Sequence, residues 1–183
     1  MNDPGASPRA IRRLMTDLGD KNGMTRKRAR NAFIQLGTVA TPLLLEGLRR
    51  PEHIVRWETS KIFCDIRDLR AAGPLVVALE DENIGVQWVA AEALIFQGPQ
   101  VIPPLLKALI ADPESLLLRQ GAHHVLHDLA KHGLLPKAAA GVLSAIEGIT
   151  AQSSCLVAAS AALEAMEKSS PAGSVAQAKH RNS

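Results

Sequence analysis

The sequence predicts an all-α protein of stacked helix pairs, and three observations carry that expectation. Nine-residue segments of one pattern recur along the chain, their apolar residues fall at helical period, and the composition suits small-residue helix packing. Hydrophobic residues make up 46% of the 183, Ala and Leu crowd the middle, and aromatics are only 3%: two Trp, three Phe and no Tyr. An aromatic-rich β-sandwich is disfavoured on those numbers, and disorder throughout is excluded at a mean hydropathy of +0.04.

The recurring segments are Thr25 to Phe33, Val55 to Phe63, Val86 to Leu94 and Leu118 to Leu126, which align without gaps. The second residue of each is an anchor, Arg26, Arg56, Gln87 and Arg119, at spacings of 30, 31 and 32. At about 100° per residue, the positions one before and three, six, seven and ten after the anchor share one side of a helix. In the second segment these are Val55, Thr59, Ile62, Phe63 and Ile66, and in the third Val86, Ala90, Ala93 and Leu94, so that side is the expected core. Between the segments lie Thr41 to Leu48, Gly73 to Leu79 and Pro103 to Leu109, which also correspond and predict the second helix of each pair. Pro42, Pro74, Pro104 and Pro136 sit where a first helical turn tolerates a missing N–H, and Gly37, Gly73, Gly98 and Gly133 are placed as left-handed caps after helix ends. About ten helices are expected across a repeat domain of residues 9–168, between disordered ends at 1–8 and 169–183.

The pattern Val-Arg-x-x-Ala-Ala-x-Ala-Leu, followed by a Pro-Leu-x-x-Ala-Leu helix at a period near 31, resembles the short HEAT repeats of the phycobilin-lyase (PBS lyase) type. The resemblance covers residues 9 to about 147. Arg9 to Gly19 resembles the lone helix that opens such arrays and Ser153 to Lys168 a closing helix, although Leu126 and Leu163 are 37 apart and no Arg anchor stands near 156. The implied architecture is a right-handed α-solenoid, or alpha-alpha superhelix, of about five HEAT-like helix pairs. In that family the anchor Arg bonds within a ladder along the stack, often to an acidic residue; Glu52, Asp81 or Glu82 could serve here.

The resemblance also implies that the anchor-bearing helices line a concave groove. On the helical wheel, positions one, two, five and eight or nine after the anchor face away from the core. The first gives Lys27, Trp57, Trp88 and Gln120; the fifth Asn31, Lys61, Glu92 and His124; the eighth Ile34, Cys64, Ile95 and His127. Glu58 falls at the second position and Phe96 at the ninth. Both tryptophans thus occupy equivalent groove positions in adjacent units, about 10 Å apart if the helices pack as neighbours. Exposed aromatics at the centre of an apolar patch mark protein-binding surfaces. The competing reading has each Trp folded over its neighbouring helix, half-buried and without a partner.

Charge and chemistry narrow the function. Residues 1–30 hold eight Lys/Arg against three Asp/Glu, whereas residues 71–130 hold two against seven. Arg26, Lys27, Arg28 and Arg30 could attract nucleic acid, but a surface that turns acidic over its next half argues against it. Cys64 and Cys155 are 91 apart with no CxxC, which fits a reducing compartment and no bridge. The polar N-terminus lacks an apolar leader and no apolar run reaches about 18 residues, so a soluble, cytoplasmic protein without membrane contact is expected. His124, His127 and Asp128 have spacing that can hold a divalent metal but lack a third firm ligand from elsewhere, so no metal or other cofactor is expected. Deoxyhypusine hydroxylase, a HEAT-like enzyme, carries His-Glu pairs just after its anchors; here those places hold Trp57-Glu58, Trp88-Val89 and Gln120-Gly121. Lys61 and Asp65 with the two Trp resemble the groove of HEAT-like DNA glycosylases only in part.

The reading that follows is a non-enzymatic interaction module that binds another protein or peptide, a second copy of the chain included, through Trp57, Glu58, Lys61, Cys64, Trp88, Glu92, Ile95, Phe96, His124 and His127. An accessory subunit of a phycobilin-lyase-like or chromoprotein-handling complex is the alternative, and nucleic-acid binding at the basic N-terminal end the third.

Overall fold

The computed structural model describes residues 8–147 and 151–169; but for Pro8 and Ser169, the two ends expected to be disordered lie outside them. The described residues form ten α-helices joined by short 3-10 turns, with no strand. The chain is an all-α helical repeat of the α-solenoid class, and it gathers into two compact units, one up to Gly98 and the other from Pro99.

The first unit contains α1 (Pro8–Asp17), α2 (Gly23–Leu36), α3 (Thr41–Gly47), α4 (His53–Phe63), α5 (Ala72–Val77) and α6 (Ile84–Gln97). The anchor-bearing helices α2, α4 and α6 pack in succession, with α3 against α4 and α5 against α6. The apolar side expected from the wheel is the core: Phe33, Phe63 and Leu94, each seven after its anchor, are fully buried, as are Ile62, Ala90 and Ala93. Small residues set the spacing. At Gly47 an added Cβ would lie 2.6 Å from Thr59 Oγ1 and 3.2 Å from Met15 Cε, so α3 meets α4 at a distance that only glycine permits.

Local signals start and stop these helices. Asn22 caps α2 by accepting from Met24 N, and Asn83 caps α6 by accepting from Gly85 N and Val86 N. Each capping Asn in turn donates its own N–H to an aspartate two residues earlier, Asp20 at 2.7 Å and Asp81 at 2.9 Å. Gly37 and Gly98 end α2 and α6 with φ of 62° and 86°. Gly73 departs from expectation: it lies inside the first turn of α5 and is not among the glycines of positive φ. The end of α4 is served differently, by the buried Gln97 of α6, whose Nε2 donates to the carbonyls of Phe63 and Ile66 at 3.3 and 3.1 Å.

The second unit contains α7 (Ile102–Ala111), α8 (Leu116–Lys131), α9 (Lys137–Glu147) and α10 (Ala151–Ser169). Leu105, Leu106 and Leu109 of α7 and Leu118, Ala122, Val125, Leu126 and Leu129 of α8 are buried. Gly133 (φ 70°) follows α8, as its position predicted. The closing helix α10 packs on α9 and α7 and buries Cys155, Ala159 and Ala162, while Leu163 is only half-buried. Both cysteines are free thiols. Among the described residues no single helix is long and apolar enough to cross a membrane.

Candidate functional site

The outward sides of α4 and α6 form the walls of an open cleft of about 690 Å³ in the first unit. Trp57, Lys61, Cys64 and Asp65 line it from the α4 side, and Ile84, Gly85, Trp88, Val89, Glu92 and Phe96 from α6. The two tryptophans differ in setting. Trp57 is half-buried across the first turn of α6, where a Cβ added to Gly85 would lie 3.5 Å from its Cδ1. Its ring also carries the ammonium of Lys61, with Nζ 4.7 Å from the ring centroid. Trp88 is 59% exposed, and beside it Ile84 is 79% and Phe96 46% exposed.

Cys64 sits deeper in the cleft, its thiol donating to the Ser60 carbonyl at 3.8 Å. Burial pushes this thiol up to about 12, the carboxylates of Asp65 and Glu92 adding to the rise while Lys61 opposes it. At neutral pH the group is a neutral thiol and supplies no thiolate nucleophile.

Six of the ten residues expected in the groove therefore meet in one place: Trp57, Lys61, Cys64, Trp88, Glu92 and Phe96. Glu58 does not join them. It is 2% exposed and turned toward α2, where Arg26 Nε donates to Oε1 at 3.0 Å and Arg30 pairs with Oε2. Two guanidiniums reaching across from the neighbouring helix draw the carboxylate inward, so Glu58 is a structural residue and not a groove contact. Ile95 is half-buried and outside the cleft wall, and His124 and His127 belong to the second unit. Ile84 and Gly85 were not foreseen, although Ile84 stands four residues before Trp88 and so shares its face.

The anchors form a ladder of one geometry. Arg26 Nη1 donates to the carbonyls of Asp20 and Lys21, Arg56 Nη1 to those of Arg50 and Pro51, and Gln87 Nε2 to that of Asp81, in each case six or five residues upstream. Arg56 also binds Asp81 through Nε and Nη2, at 2.6 and 2.9 Å, and Glu82 at 3.0 Å. Burial alone would raise Asp81, but the hydrogen bonds from Arg56 and from the Asn83 amide outweigh it and hold the carboxyl below its usual range. Glu52, the other acid considered for this ladder, pairs instead with Arg50. Arg119 does not repeat the pattern among the described residues; it lines a smaller pocket of about 390 Å³ with Leu116, Gln120 and His123.

Of the basic N-terminal stretch, Arg26 and Arg30 are engaged by Glu58, while Lys27 and Arg28 are exposed. On α8, His123 Nε2 lies 3.0 Å from Glu147 Oε1, the rings of His123 and His127 stack at 5.7 Å, and Asp128 pairs with His132 at 3.2 Å. Among the described residues no three His, Cys, Asp or Glu side chains gather as a metal ion requires.

Against known proteins, residues 41–127 match the family model for HEAT repeats, a stretch that takes in α4, α6 and the whole cleft. No curated protein matches the chain.

Proposed function

We propose that this HEAT-repeat chain is a non-enzymatic interaction module that docks a partner protein or peptide on the cleft between α4 and α6. One observation carries the reading. Of five aromatic residues, Phe33 and Phe63 are fully buried in the core, and the other three, Trp57, Trp88 and Phe96, all line this cleft. A stability-only surface has no reason to gather them there, whereas binding energy at interfaces concentrates in such aromatic anchors. HEAT repeats commonly serve as interaction scaffolds, and the neutral Cys64 thiol offers no nucleophile in the cleft.

The test is Trp88→Ala, alone and with Trp57→Ala. The single variant removes an exposed side chain and should keep its helix content and Tm, yet lose the partner by at least tenfold in affinity. Unchanged partner binding and oligomeric state in the double variant would sink the proposal. The short period and the Arg anchors support the phycobilin-lyase subtype of these repeats, and pigment absorbance co-purifying with the chain would favour the accessory-subunit reading.

A further inference from the structure

The cleft carries a charge preference as well as an apolar one, an inference that rests on its reading as a docking surface. Its walls join three aromatic rings to the exposed carboxylate of Asp65, with one cation, Lys61, on the same wall. That cation is committed to a ring. Lys61 and Asp65 stand four residues apart, the spacing at which a helical ion pair forms readily, yet the Lys61 ammonium lies over the Trp57 ring. Asp65 is thus an exposed carboxylate set into an aromatic wall, and the same geometry shows that the Trp57 face attracts a cation. The local field agrees in sign: beyond burial, Asp65 raises the Cys64 thiol more than Lys61 lowers it.

We infer that the segment docking in this cleft presents an arginine among apolar residues, its guanidinium stacked on the tryptophan wall and paired with Asp65. Arginine suits the site better than lysine because its planar, weakly hydrated head can stack on an indole and donate two parallel hydrogen bonds to a carboxylate together. The apolar neighbours would cover Ile84, Trp88 and Phe96, which are exposed beside it.

Both tryptophans of the chain line the cleft and there is no tyrosine, so tryptophan emission reads this site alone. The full chain is titrated with three 12-residue helical peptides that share Leu at i, i+3, i+4 and i+7 and carry Arg, citrulline or Glu between them. The Arg peptide should shift the emission and bind about tenfold tighter than the citrulline peptide. Asp65→Asn should erase most of that difference and leave citrulline binding unchanged. If the citrulline or Glu peptide binds as tightly as the Arg peptide, the inference is overturned while the docking reading stands. If no peptide shifts the emission, the inference is likewise overturned, and Trp88→Ala then decides the docking reading separately: retention of the partner removes that as well.

Discussion

Arg56 makes five side-chain hydrogen bonds in the first unit. Its guanidinium, 10% exposed, meets two backbone carbonyls and the nearly buried carboxylate of Asp81, so removing it strands acceptors that water reaches poorly. Arg56→Met is expected to cost about 3 kcal/mol of stability by urea denaturation, the lower end for breaking a buried pair from one side. Arg56→Gln should cost less, because Gln87 shows that an amide keeps the carbonyl contact without the ion pair. The anchors were legible because one residue type recurs at a fixed place. Glu58 was not, since the wheel that turns it outward knows nothing of Arg26 and Arg30 on the neighbouring helix. The same limit separates Trp57 from Trp88: equivalent positions on two helices differ in exposure because the Trp57 indole lies against the first turn of α6 at Gly85.

At the scale of elements, helical period and capping chemistry placed the helices well. Asp20-Lys-Asn22 and Asp81-Glu-Asn83 write the turn and the cap that start α2 and α6, a signal present in the sequence alongside the apolar stripe. Gly73 misled because glycine after an apolar helix reads as a cap, whereas Gln97 of α6 serves the end of α4 from a distance. Gly47 shows the opposite case, a glycine whose purpose lies in a contact 12 residues away in sequence. Gly47→Ala would drive a methyl into Thr59 Oγ1, with Thr59 Cγ2 only 3.1 Å away. Intrinsic helix propensity favours Ala, yet the variant is expected to lose about 1–3 kcal/mol, read as a lower Tm, because the α3 to α4 contact must open. A rise in Tm would contradict this account of the packing.

For the molecule as a whole, acid is the expected route to unfolding. Bonds from the Arg70 guanidinium foremost, together with the Thr41 hydroxyl, outweigh burial and hold Asp68 down from its ordinary 3.8 to about 2, and Asp81 is held low by Arg56. A carboxyl depressed in the folded state contributes stability that is complete above its unfolded value and is lost as pH falls through the folded one. Tm should therefore hold steady down to about pH 5 and decline between roughly pH 4 and 2. Asp68→Asn should lower Tm at neutral pH and flatten that decline; an unchanged acid limb in the variant would show that Asp68 does not drive it.

In the proposed function a partner covers the cleft of Trp57 and Trp88. Acrylamide quenching of tryptophan emission, with and without the bound partner, tests it most directly, because every tryptophan in the chain lies in that cleft. Trp88 should be accessible in the free chain, and the quenching constant should be at least halved in the complex. Equal quenching in the free and bound states would contradict it.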